Sequence, residues 1–275
     1  MKKWIARLCF IGGFLLLCYP LVSGYMQQRY HQRAVATYSS NVKESSEEEK
    51  EQILKNARDY NNMLYQSKGA VVDDMNLGIL SDESYNSQLK QSSQGIMGSI
   101  EIPKINVDLP IYHGTSDEVL SNGVGHQEGT SLPIGGENSH CVLTGHRGLP
   151  GSKLFTRLDE MEKGDLFFLN ILGDTLAYKV DKIEVVEPDD VEVMNIQAEK
   201  DIVSLVTCTP FGLNTHRLVV TGERVPYEKG EYEGIKQSIP SGRELLFTTL
   251  PFILLAGACI SKLREWRMKK REKEK

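Results

Sequence analysis

The chain has 275 residues, 40% of them hydrophobic, with 32 Lys and Arg against 37 Asp and Glu and a formal net charge of −5. That length holds one sizeable folded domain plus appendages. The acidic balance argues against a nucleic-acid partner, because nucleic-acid-binding domains concentrate cations to neutralise phosphate. From the N-terminus, Lys2, Lys3 and Arg7 lead into an apolar run over 8–22, and Val22-Ser23-Gly24 offers a small-residue cleavage site. Residues 1–24 therefore read as a signal peptide or an uncleaved signal anchor, and either one exports the body of the chain. A polar stretch over 25–40 comes next. Ser46-Glu47-Glu48-Glu49 then has capping-box spacing and predicts a helix. Ile53, Leu54, Ala57, Tyr60 and Leu64 form its apolar face, and the acids at 47–51 read as a solvated helix start suited to the dipole rather than as a metal or partner site. Residues 67–80 contain Gly69, Gly78 and the pair Asp73-Asp74 without a period, which predicts a loop; a second short helix is expected over 82–89.

Beyond residue 97 the texture changes to short β-type runs separated by Gly, Pro and Asn, at 98–102, 107–112, 140–144, 166–172, 175–186, 202–207 and 218–225. Regular short strands of this kind predict a mainly β barrel or sandwich. Residues 229–244 read as a linker. The apolar run 245–260, interrupted by Pro251, precedes Lys262, Arg264, Arg267, Lys269, Lys270, Arg271, Lys273 and Lys275. A hydrophobic stretch followed by cations predicts a membrane helix over 245–261 with a cytoplasmic tail over 262–275; a buried helix of the soluble domain is the alternative. The resulting organisation is a helical extension over 25–96, a β domain over 97–228 that faces outward, and membrane segments at both ends.

Three cysteines, Cys9, Cys18 and Cys259, fall inside the apolar segments, so only Cys141 and Cys208 belong to the exported body. They can form a disulfide, or be one core residue and one reactive thiol. In 202–223 an alternating strand ends at Cys208, Pro210 and Gly212 break it, and a new strand starts near His216. Antiparallel pairing across that loop brings Arg217 beside Cys208 and turns His216 to the other face. A guanidinium there favours the thiolate and can bind an oxyanion, although an Arg paired with a surface carboxylate is the plainer alternative. A second β-type run, Val142-Leu143-Thr144, ends in Gly145-His146. An imidazole at a strand end titrates near neutrality and can exchange a proton with a thiol, the minimal unit of cysteine acyl transfer. His31, His113, His126, His140 and His216 remain as surface or core histidines, Cys141 shares its strand face with Leu143 as a small buried hydrophobe, and no metal-ligand spacing is present.

The segments TGHRGLP at 144–150 and LVTCTPFGLNTHRL at 205–218, with MGSIEIPKINVDLPIYHGTS from Met97, resemble the signature segments of sortases, extracytoplasmic transpeptidases of Gram-positive bacteria. The similarity runs from about residue 98 to 225. It implies a sortase-type β-barrel of eight strands, with His146, Cys208 and Arg217 as the catalytic residues in one groove and no cofactor. Thr144 and Thr207 are expected to line that groove. Ser204 stands where many members have threonine. The helical extension and second membrane segment are most similar to class C, the pilus-assembling sortases, whose groove is often covered by a lid carrying Asp-Pro-aromatic. Here Val72-Asp73-Asp74-Met75-Asn76 corresponds to that stretch and lacks both the proline and the aromatic, with Met75 as the candidate plug. The resemblance implies cleavage of an LPxTG-like signal between Thr and Gly and transfer to a pilin lysine amine. Transfer to a cell-wall precursor amine, hydrolysis by a cysteine peptidase and a non-catalytic membrane-tethered binding module are the competing readings.

Overall fold

The computed structural model describes residues 2–69, 82–90, 95–149, 152–236 and 242–273. Eight strands, β1 (Ile96–Ile102), β2 (Val107–His113), β3 (Val124–His126), β4 (Ser139–Thr144), β5 (Leu166–Ile171), β6 (Asp174–Val186), β7 (Asp201–Thr209) and β8 (His216–Val225), close into one barrel in the order β1-β2-β3-β4-β7-β8-β6-β5. Closure leaves no free sheet edge. Seven of the eight strands coincide with the alternating runs of the sequence. The eighth, β3, has no such run: three residues are too few to show alternation, and its neighbours make it a strand. It pairs parallel to β2 and antiparallel to β4, with Gly125 opposite Thr144, and a Cβ at Gly125 would stand 2.3 Å from the Gly114 carbonyl oxygen. The short helix α4 (Asp117–Asn122) before it, N-capped by Ser116, whose Oγ accepts from Val119 N at 3.3 Å, is likewise absent from the sequence reading.

Side chains alternate across the wall. Inward residues such as Ile100, Ile111, Leu143, Leu169, Leu205 and Val220 join Phe155, Phe167 and Tyr178 in the main core. On the outer side of β4, β7 and β8 a second, smaller cluster forms from Val142, Val206 and Val219, against which Val186, Val193 and Met194 pack. The last two belong to the β6–β7 connection, whose 3-10 turn Glu192–Met194 lies against the wall.

The N-terminal extension is helical, with one difference from expectation. Helix α1 runs unbroken from Lys2 to Glu44, through both the apolar run and the polar stretch. The polar stretch hides a 3-4-4 stripe, His31, Ala34, Tyr38 and Val42, all buried, which its many polar neighbours obscure. Tyr38 fixes the stripe to the barrel: its hydroxyl donates to Met97 O at 3.0 Å and accepts from Leu172 N at 2.9 Å. Helix α2 (Glu47–Gly69) begins at the predicted cap, Glu49 N donating to Ser46 Oγ at 3.1 Å. It buries Ala57, Tyr60 and Leu64, and Asn61 exchanges two hydrogen bonds with the Leu132 backbone. Short α3 (Asp82–Ser87) supplies Tyr85 to the core.

After β8, α5 (Lys229–Gly234) leads to α6 (Gly242–Lys273), which contains Pro251 and runs against α1. The 245–260 run is not a buried core helix, since Leu246, Phe252, Ile253 and Ile260 are all more than half exposed. Among the described residues, one helical stretch, Leu8–Glu44, is long and apolar enough to cross a membrane, and none of its apolar window is buried.

Candidate active site at the ends of three strands

The site is built by strand register. Antiparallel β7 and β8 place Cys208 directly opposite Arg217, as the broken alternation at Pro210 and Gly212 predicts. Directly opposed residues have Cα atoms about 4.5–5.5 Å apart and point to one side. That side is the outer one, because Val206 and Val219, two residues below Cys208 and Arg217, belong to the outer cluster. His216, opposite Thr209, is turned away, with Thr215 Oγ1 at 2.8 Å from Nδ1 and Glu187 at 3.3 Å from Nε2.

His146 arrives by a second, parallel pairing. Strand β4 matches β7 up to Thr144 opposite Val206, and Gly145 N then donates to Val206 O at 3.0 Å. Two residues farther along each chain stand His146 and Cys208, at neighbouring strand ends and both half-buried. Thr207 Oγ1 donates to Gly145 O at 2.7 Å and Phe155 N to His146 O at 3.1 Å, so the segment is held from both sides. Gly145 is obligatory, since a Cβ there would stand 2.7 Å from the Phe155 ring. Thr207 itself is fully buried on the inner face, where its hydroxyl is engaged by that carbonyl; it supports the His146 segment rather than lining a groove. Thr144 is half-buried on the outer side.

Hydrogen bonding separates the histidines. His126 and His140 are fully buried and bonded at both ring nitrogens, His126 to Ser131 O and the Tyr85 hydroxyl, His140 to Asn195 O and Ser204 Oγ. His113 lies between the Gln88 and Gly95 carbonyls. Burial pushes the His113 imidazole down and that of His126 down to about 4, which suits structural roles. Among the described residues the His146 ring has no hydrogen-bond partner. Ser204 completes a chain from His140 to Thr221 Oγ1, 2.8 Å at each step.

The cysteines divide equally clearly. All five are free. Cys141 faces the core, and burial raises its thiol well above the ordinary range, whereas Cys208 is on the opposite face and partly open. A thiol on each face excludes a bridge between them. Arg217 makes no ion pair among the described residues; Nη1 donates to the carbonyls of Asn214 at 3.3 Å and His216 at 3.1 Å. The surface-carboxylate alternative is thus not what the geometry shows. No cluster able to hold a metal ion is present among the described residues. The expected lid residues Asp73, Asp74 and Met75 lie outside the described residues.

The residue that sequence reasoning misses is Arg147. Its side chain, 8% exposed, pairs with Asp159 through Nη2, donates from Nη1 to Thr209 Oγ1 at 3.2 Å and lies 6.0 Å from the Phe211 ring centroid. The signal available is its place beside His146.

The family described as "Sortase domain" matches residues 100–225. Sortase D of Bacillus subtilis (strain 168) is 36% identical over 148 residues, 52% of this chain and 72% of the relative; sortase A of Streptococcus agalactiae serotype III (strain NEM316) is 32% identical over 58% of this chain and 65% of its own. Among solved structures, sortase C1 from Streptococcus agalactiae superposes with a TM-score of 0.64 at 45% identity, covering 71% of this chain and all of that one. Clostridium perfringens sortase C, solved with the C-terminal cell wall sorting motif, superposes at 0.61 and 42% identity, covering 71% and 99%. A closed eight-stranded barrel shared with these enzymes, at identities far above what fold likeness alone requires, makes this chain a member of the sortase family of cysteine transpeptidases, most similar to those of class C.

Proposed function

We propose that the chain is a membrane-anchored class C sortase in which Cys208 is the nucleophile, His146 the acid/base and Arg217 the oxyanion donor. The observation that carries this reading is the double register at β7, which sets Arg217 opposite Cys208 on one side and the His146 segment at the parallel strand end on the other.

The Cys208 thiolate attacks the Thr–Gly carbonyl of an LPxTG-like sorting signal carried by a pilin or surface-protein precursor. Negative charge develops on the carbonyl oxygen, where the Arg217 fork and backbone N–H groups stabilise it; guanidinium suits this role because it stays charged and offers several donors in one plane. As the tetrahedral intermediate collapses, the C–N bond breaks and the His146 imidazolium gives its proton to the departing glycine amine. The acyl group is now a thioester on Cys208. A pilin lysine amine attacks it, imidazole takes the amine proton, the C–S bond breaks, and an isopeptide bond forms with the thiolate restored.

Residues 97–228 form the catalytic domain in this reading. The bare apolar stretches of α1 and α6 anchor it, with the barrel extracytoplasmic and the basic end of α6 cytoplasmic. The test is mass spectrometry of surface polymers from cells carrying wild type or Cys208→Ala. A Thr–Lys isopeptide that depends on the thiol is expected. An unchanged pilin ladder in the variant refutes the reading, and loss of wall-anchored monomers with polymers intact moves the acceptor to a cell-wall amine.

A further inference from the structure

We propose that Arg147 is a positioning residue of the acyl-transfer site, the side chain that sets the loop bearing His146 against the strand end bearing Cys208. This rests on the cysteine-histidine reading above.

Two loops meet here. The one leaving His146 contributes Arg147 and Gly148; the one leaving Cys208 contributes Thr209 and Phe211. Nη1 of Arg147 reaches Thr209 Oγ1 at 3.2 Å, one residue past the thiol, while Nη2 pairs with Asp159 of the turn Leu158–Glu160. Phe211 lies beside the guanidinium and against Gly148, whose φ is +80° and where a Cβ would come within 2.8 Å of the Phe211 ring. Each loop is therefore shaped by the other.

An ordinary surface ion pair does not look like this. Arg147 is nearly fully covered while Asp159 is half exposed, and the same guanidinium holds a third partner on a different loop. Its Nε is buried with no acceptor among the described residues, so the guanidinium is held through its two Nη atoms. Arg147 reaches Thr209 and Asp159 from two nitrogens of one planar fork, a fixed spacing that the three donors of a single ammonium nitrogen do not reproduce. Because Asp159 balances the charge, the contribution is one of placement. Proton transfer from His146 to the leaving amine and back from the acceptor depends on that placement, and an error of about 1 Å in such a site costs on the order of 10²-fold in rate.

The experiment uses the full chain in detergent micelles, a fluorogenic Leu-Pro-x-Thr-Gly peptide and hydroxylamine as the acceptor amine, with Arg147→Met, Arg147→Lys, Thr209→Val and Cys208→Ala compared. Arg147→Met and Arg147→Lys are expected to lower kcat by on the order of 10²-fold with KM within about twofold, the pattern of an interaction used in the transition state. Thr209→Val, which deletes only the hydroxyl, should lower kcat in the same sense by less, and combined with Arg147→Met should add little. A merely structural arginine would be rescued by lysine in every variant that folds. Full kcat in folded Arg147→Lys and Thr209→Val overturns the proposal even if Arg147→Met fails to fold. If Cys208→Ala still transfers, the thiol reading itself falls and this inference with it; a dead Cys208→Ala beside fully active Arg147 and Thr209 variants sinks this inference alone.

Discussion

On their inner face β4, β7 and β8 send Cys141, Leu143, Val203, Leu205, Leu218 and Val220 into the main core. On their outer face the same strands carry Val142, Val206 and Val219 under the β6–β7 connection, then Cys208 and Arg217 at the open end. A change of face separates a thiol sealed in hydrocarbon from one beside a guanidinium. The two lie on neighbouring strands, β4 and β7, and their surroundings distinguish them: burial raises the Cys141 thiol, while Cys208 on the outer face is partly open. The difference teaches that chemistry in this fold is placed by alternation and strand ends, and stability by the opposite face.

The largest contrast is between Cys208→Ala and Leu205→Ala. The first should abolish peptide transfer, a loss on the order of 10⁶-fold if it matches deletion of a protease nucleophile, with little change in the urea midpoint. The second should cost about 2–5 kcal/mol of stability through a core cavity, with kcat per folded molecule unchanged; equal loss of activity in both would erase the distinction between the faces. Arg217→Met comes next. It should lower kcat by about 10²–10³-fold, the usual cost of removing an oxyanion donor, without raising peptide KM, and wild-type kcat would remove Arg217 from the chemistry.

Smaller effects probe the buried side. Tyr38→Phe strips Met97 O and Leu172 N of their partner and should cost about 1–3 kcal/mol in chemical denaturation, since the groups left behind are buried; a neutral result would mean that α1 is not docked as seen. The least effect concerns Cys141 and pH. Its folded thiol is raised above the ordinary value of 9.0, so below that value both states hold the proton and no stability is at stake. As pH climbs past it, the unfolded chain releases the proton first and stability falls, by up to about 1.4 kcal/mol per pH unit until the folded thiol also titrates. Urea titrations at pH 8 and 10 should show Cys141→Ala losing less than wild type, and identical losses would contradict a sealed Cys141.

Alternation is legible wherever a strand is long enough to repeat it. The β7–β8 hairpin shows the point: local sequence alone predicts antiparallel pairing and Arg217 beside Cys208, and the register has them directly opposed. The capping box at Ser46 likewise names the start of α2. Short or diluted patterns are not legible. Three-residue β3 has no period to detect, and the buried stripe of α1 is hidden by polar neighbours until the barrel is there to receive it. Thr207 shows the limit of motif reading: its place next to Cys208 marks it for the groove, yet the pleat turns it inward to hold Gly145.

Composition, hydrophobic period and turn chemistry in the chain were enough to predict a mainly β domain between apolar ends and to single out a cysteine, a histidine and an arginine, because these depend on residues near one another. The parallel pairing of β4 with β7, which brings residues 62 positions apart to one strand end, and the Arg147 contact across two loops depend on how the barrel closes. Closure sums many weak long-range pairings, none of which leaves a mark in any single segment.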